Sequence, residues 1–449
     1  MILEPIRPNP IAIRARIIAI LPAIAALALA PGALAAPGWD LDRVLAAVRA
    51  NDPRVEAARS GGDAERAQGS STRLSISPRV SLRGGAVRSD DPALLFSEKL
   101  WQGRFTADDF ALDRLNDPSA RTSLDYGLTL EQPIWNGGAE LTSFAETSHR
   151  HRAADAREAS RVSQRLLEAV QTYADAIQAR ETLAADSTAR DAAFEQRRAA
   201  ADLFRRGQVP ELDTLRAFAH WAEADAAWRT ARSDYAVALL RLSQRVGAGV
   251  APDSLEGPPP DTGVPEPEGD AAGSFDVKAA REDASVAGIR AQRAGWSLLP
   301  SLNGRADVRY YRDADLGDFK RRWTAAIVFD LPLWDGAKRW EEWRAARARA
   351  GEARARAEAA RQDWTADVAA ARSEATLARE RRDAAAKARA AAEEALRLAS
   401  GRYRAGLLPL GDLLTVDAEA ARARLNDVAG RVGVLLADTR YRHAMGSLR

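Results

Sequence analysis

Side chains able to do chemistry are few in this sequence and poorly spaced for it. The four histidines are His149, His151, His220 and His443, and only the first two are close. Two residues apart on a helix they face different ways, which argues against a shared metal. Cysteine is absent, which removes disulfides, thiolate ligands, thiol nucleophiles and the acylated N-terminal Cys that a lipoprotein needs. No Gly-rich phosphate loop, nucleophile elbow or metalloprotease motif occurs, so nothing is expected to bind ATP. The Asp and Glu residues are interspersed with Arg, as from Arg339 to Arg361, where paired carboxylates are ordinary surface pairs. The reading is no enzyme, no catalytic residue, no cofactor and no metal. A formal charge of +2, from 65 basic and 63 acidic residues, gives no reason to expect nucleic acid.

The elements carry more information. Arg7, Arg14 and Arg16 precede an apolar run from Ile17 to Ala30 and then Ala33-Leu34-Ala35, which predicts a signal peptide over 1–35 cut near Ala35 or Ala36. Pro22 and Pro31 interrupt the run, and it falls short of the roughly 20 residues of an uncleaved anchor. No later segment is apolar for long enough to span a bilayer as a helix, so the only membrane route is a β-barrel.

The rest of the chain is duplicated. Pro133-Ile134-Trp135-Asn136-Gly137 recurs as Pro332-Leu333-Trp334-Asp335-Gly336, an offset of 199 residues. Gly207, Pro210, Asp213, Leu215 and Gly247 recur at the same offset as Gly406, Pro409, Asp412, Leu414 and Gly446. Convergent turn chemistry explains one such match but not constant spacing. The expected organisation is a first repeat over 36–250, a Pro-rich linker over 251–273 and a second repeat over 274–449.

Each repeat divides alike. From Ala139 to Arg206, and from Lys338 to Ala405, 68 residues run without Pro and are rich in Ala, Arg and Glu; wholly helical, each would reach about 100 Å. Val162, Leu166, Val170, Tyr173 and Ile177 form an apolar stripe for packing against another helix. A Gly ends each long helix as a left-handed cap, and the Pro three residues later suits the first turn of the next. Gly207 to Pro210 and Gly406 to Pro409 are therefore tips of long helical hairpins over 139–247 and 338–446. Shorter helices precede, roughly Leu41 to Gln68, made irregular by Pro53 and Gly61-Gly62, and Phe275 to Gly295.

Period-two alternation marks four strands, at about 73–87, 122–133, 300–311 and 322–332, each with one apolar and one polar face. Each is about 10 residues long, the length of a tilted membrane strand. A soluble sheet alternates in the same way. The export signal and the open sheet tip the balance: four strands have edges that hydrocarbon cannot satisfy, so they must close with other copies. Two copies give eight strands and a filled interior; three give twelve and a lumen. The first hairpin carries 23 more residues than the second, including Leu94-Leu95-Phe96 and Trp101, a long loop expected on the extracellular side.

The Gln132-Pro133-Ile134-Trp135-Asn136-Gly137-Gly138 turn, the Gly207-x-x-Pro210-x-x-Asp213-x-Leu215 tip and their second copies resemble the TolC family of outer-membrane efflux proteins over nearly the whole mature chain. The resemblance implies a mainly α fold with a membrane β part: a homotrimer whose twelve strands form an outer-membrane barrel and whose helices form a periplasmic tunnel. It also implies helix tips that meet a periplasmic adaptor (membrane fusion protein) and an inner-membrane pump, here through Gly207, Pro210, Leu215, Gly406, Pro409 and Leu414. It further implies a pore constriction at Asp412, with Asp213 as its first-half counterpart and Tyr403 contacting Asp213 of a neighbour. Three Asp412 carboxylates around an axis would form an anionic ring, although an acid in a first helical turn also serves the helix dipole anywhere. Two departures stand out. Many members have Ser or Thr where this chain has Pro210 and Pro409, and some carry a second acid where it has Thr415.

The expected function is passive exit of substrate delivered by a pump. The rivals are a type I secretion channel carrying protein, and a soluble periplasmic coiled-coil scaffold, which has no use for four alternating strands.

Overall fold

A computed structural model describes residues 38–257, 274–313 and 316–448. The expected signal peptide and most of the expected linker lie outside the described residues. In chain order the elements are α1 (Leu41–Asn51), α2 (Pro53–Leu74), β1 (Arg79–Ser89), α3 (Pro92–Gln102), α4 (Leu112–Asn116), β2 (Arg121–Trp135), α5 (Ala139–Arg205) and α6 (Glu211–Val246). After the linker come α7 (Phe275–Trp296), β3 (Ser301–Asp313), β4 (Leu316–Asp330), α8 (Lys338–Arg404) and α9 (Leu410–Ala444).

α5 and α8 are each 67 residues long, about 100 Å of helix. No helix among the described residues is long and apolar enough to cross a membrane. α6 lies against α5, α5 against α9 and α9 against α8. Alanines make this close packing possible: Ala153, Ala169, Ala176, Ala193 and Ala200 of α5 are all buried. The apolar stripe of α5 enters the main core, where Leu166, Val170, Tyr173 and Ile177 meet Val44 and Val48 of α1, Leu242 of α6 and Val432 of α9. By contrast α8 buries only Ala350, Ala375, Ala399 and Tyr403. It packs on α9 and α7, yet most of its side chains keep an exposed side among the described residues.

The four strands form one antiparallel sheet in the order β1-β2-β3-β4. β1 starts at Arg79 rather than near 73: α2 runs on through Leu74, and Pro78 then forces the chain out of helix. β4 starts at Leu316, six residues before the expected position, and Leu316 pairs with Asp313. The first helical segment is two helices, divided where Asp52 ends α1 and caps α2 by accepting from Arg54 N at 2.8 Å. The linker, expected from Ala251, stays packed through Leu255. Trp39 and Leu255 pair as short parallel strands, with Trp39 N donating to Ser254 O at 2.6 Å, and both side chains are buried.

Candidate pore wall and helical tips

Directly opposed residues in an antiparallel sheet share a face, so the register sorts the sheet into two surfaces. One face carries Val80, Leu130, Ala306 and Ala325 in one row and Leu82, Leu128, Val308 and Trp323 in the next. Leu82, Trp323 and Ile327 are each more than 70% exposed, so none of the described residues covers this face. Towards the loop end Tyr126 stacks on Tyr310 at 4.9 Å, with Phe319 edge-on at 4.9 Å. Below the other end lie exposed Leu333 and Trp334 and the Trp340–Trp343 pair at 4.8 Å. Aromatic girdles flanking an apolar band are what a barrel presents to lipid. The alternation in the sequence showed the band but not these girdles, whose only trace was aromatic residues near the strand ends.

The opposite face is polar. Ser81, Thr129, Asp307 and Thr324 form one row and Arg83, Gly127, Arg309 and Arg322 the next. Thr129 Oγ1 donates to Asp307 Oδ1 at 2.6 Å, and Arg305 pairs with Asp307 at 2.7 Å. Such a face suits a water-filled lumen.

At the far end of the long helices, both tips close by the same device. Gly207 N donates to Phe204 O at 2.8 Å and Gln208 N to Leu203 O at 3.0 Å; Gly406 N donates to Tyr403 O and Leu407 N to Arg402 O, both at 2.9 Å. These are paired Schellman closures, and φ of +73° and +74° explains the two glycines. Pro210 and Pro409 stand at the N-cap rather than inside the first turn, with extended backbones of φ −71° and −64°. The tips share a small core of Ala200, Ala217, Ala399, Tyr403, Leu410 and Leu413, with Leu414 partly packed against it. Leu407, Leu212 and Leu215 are exposed around this core.

Of the predicted constriction residues, Asp412 is exposed in the first turn of α9, and Asp213 is half-buried in the first turn of α6. Tyr403 is buried, and its hydroxyl has no hydrogen-bond partner. Burial, and then the nearby charge of Asp213, push its phenol above the usual range. The fold thus brings Tyr403 and Asp213 close within one chain without bonding them. Asp412 stands apart, with no ion pair described for it.

The histidines are dispersed and each has a partner: His149 with Glu282 at 2.6 Å, His151 with Ser70 at 3.0 Å, His220 with Asp417 at 3.3 Å and His443 with Ser163 at 2.9 Å. Among the described residues no acidic or histidine cluster is arranged to hold a metal ion. Sequence reasoning also missed Glu146 on α5, only 1% exposed, which binds Arg150, Arg290 and Arg293 at 2.6, 3.0 and 2.5 Å and so ties α7 to α5. Burial alone would raise its carboxyl, but the hydrogen bond from Arg290 and the charges of the three guanidiniums outweigh that and hold it below the usual range.

The sequence model of the outer membrane efflux protein family matches residues 44–248 and 272–447, the two repeats in turn. The chain belongs to that family. Its place is therefore the outer membrane, with the long helices in the periplasm, and its work is that of a channel. No curated protein matches the sequence. The fold is similar to that of the Campylobacter jejuni CmeC outer membrane channel, with a TM-score of 0.76 at 17% identity, covering 91% of this chain and 85% of that one. The outer membrane protein VceC from Vibrio cholerae gives 0.73 at 17% identity, covering 90% and 96%. The open state of the Neisseria gonorrhoeae MtrE outer membrane channel gives 0.73 at 18%, covering 91% and 89%.

Proposed function

We propose that this family member is the outer-membrane duct of a tripartite efflux system, working as a homotrimer that receives substrate from an inner-membrane pump through a periplasmic adaptor. The observation that carries this is the pair of helical tips, about 100 Å of helix away from the barrel strands, closed alike and exposing Leu407, Leu212 and Leu215. Apolar side chains at the end of a periplasmic tunnel fit a protein that docks there. Gly207, Pro210, Gly406 and Pro409 shape the contact, and Leu215 and Leu414 flank it. Asp412, with Asp213 and Tyr403, is assigned to the closed periplasmic end.

The test is complementation in a strain that keeps a pump and adaptor but lacks its own outer-membrane duct. Efflux of a fluorescent pump substrate should return with the wild-type chain and fail with Leu407→Asp/Leu215→Asp, although the variant still inserts and conducts. Efflux unaffected by the double substitution would remove the docking role from the tips.

A further inference from the structure

The insert between β1 and β2 does not project away from the sheet. Glu98 of α3 is buried and accepts a hydrogen bond from Ser123 of β2. Trp101 stacks on Tyr311 of β3 with ring centroids 5.2 Å apart. Gly103, left-handed at φ +63°, caps α3 so close to Arg322 of β4 that an added Cβ would lie 3.1 Å from Arg322 Nη2. By the strand register Ser123, Tyr311 and Arg322 all belong to the polar face, the face of Ser81, Thr129, Asp307 and Thr324. They also stand in successive rows: Ser123 pairs with Asp313, Tyr311 with Asp125 and Lys320, and Arg322 with Arg309 opposite Gly127. The footprint of α3 therefore crosses three strands and descends four residues along β2, roughly 13 Å at 3.3 Å per residue.

We propose that this insert is a selectivity-determining constriction at the outer mouth of the pore, folded into the barrel over its lumenal wall. The inference rests on the barrel reading, because only closure of the sheet makes the polar face a lumen. Charge supports it. The wall beneath the insert carries four basic residues, Arg83, Arg309, Lys320 and Arg322, against the two acids Asp125 and Asp313, whereas residues 90–120 hold seven acidic and three basic side chains. The insert is internally braced, with Lys99 Nζ 2.5 Å from Asp109 and Thr106 N donating to Asp109 at 2.9 Å. Hydrogen bonding by Lys99 and then by Thr106 N brings the Asp109 carboxyl down to about 2, so it stays charged. Asp108, Asp113 and Asp117 remain exposed. Repeated around the pore axis, they line the outer mouth with negative charge, which favours cations over anions. The second hairpin has no such device, since only residues 314–315 separate β3 from β4.

Replacing residues 90–120 with an Asn-Gly turn, the natural two-residue hairpin connection, tests this in planar bilayers. Single-channel conductance should rise by about twofold or more, and cation preference should fall. A trimeric, conducting variant with unchanged conductance and ion preference would overturn the proposal. Independently of that deletion's folding, Leu112→Cys supplies the sole thiol in a cysteine-free chain. A bulky maleimide polymer added from the extracellular side should then reduce the current, and complete labelling without any reduction would also overturn the assignment. Wild-type protein that never conducts would remove the channel reading itself, and this inference with it.

Discussion

A buried hydroxyl without a partner costs about 1–3 kcal/mol, and Tyr403 carries one at the tip core beside Asp213. The described residues give that hydroxyl no partner, and the proposed role at the tunnel end would give it one in the assembly. Tyr403→Phe keeps the ring and its packing, and should leave thermal stability unchanged or slightly higher while raising single-channel conductance. If Asp412 forms the proposed entrance ring, Asp412→Ala should raise conductance too and weaken block by multivalent cations, because it removes that charge. If both variants conduct and respond to those cations as wild type does, the tip residues have no gating role and serve only packing and the helix dipole.

Among elements, the equivalence of the two repeats was legible in the sequence to the residue: α5 and α8 begin 199 positions apart, at Ala139 and Lys338, and have equal length. Backbone conformation dictates such landmarks locally, and so single residues reveal them. Tertiary contact blurred the rest. Leu74 and Ile76 fit a strand alternation, but α2 continues along α5 and takes Leu74 into helix. The docking of α3 could not be read, since its partners Ser123, Tyr311 and Arg322 come from three different strands. Nor does duplication fix every detail. Gly138 lies so near Trp296 that a Cβ would overlap the indole, while its counterpart Ala337 takes the same left-handed turn with a side chain, at φ +64°.

The contact between α5 and α7 is sensitive to pH through Glu146. Because the Glu146 carboxyl is held below its ordinary 4.5, its contribution is fully present above that value and is lost as pH falls through the lower folded value. Glu146→Ala would leave Arg150, Arg290 and Arg293 crowded without their anion, a loss of about 3 kcal/mol by analogy with other broken buried pairs. Thermal unfolding followed between pH 7 and about pH 3 should show wild-type stability falling in the acid range, with the variant less stable at neutral pH and less steeply acid-dependent. Equal acid sensitivity in the two proteins would assign the acid loss to other carboxylates.

At the scale of the whole molecule, two features of the single chain are incomplete. β1 and β4 leave open edges on a sheet whose apolar face is bare, and α8, although packed on α9 and α7, buries only four side chains along its 67 residues. Hydrocarbon does not tolerate open strand edges. In the proposed trimer, joining β4 of one copy to β1 of the next would answer the first deficit, and the intrachain order α6-α5-α9-α8 would set α8 beside α6 of a neighbour and answer the second. A filled eight-stranded interior would leave no conduit for the polar face to line, whereas twelve strands enclose one. The direct measurement is native mass spectrometry of the protein extracted from outer membranes in mild detergent. A single dominant species of three chains is the predicted result; a stable monomer or dimer as the dominant species would contradict the closed twelve-stranded channel.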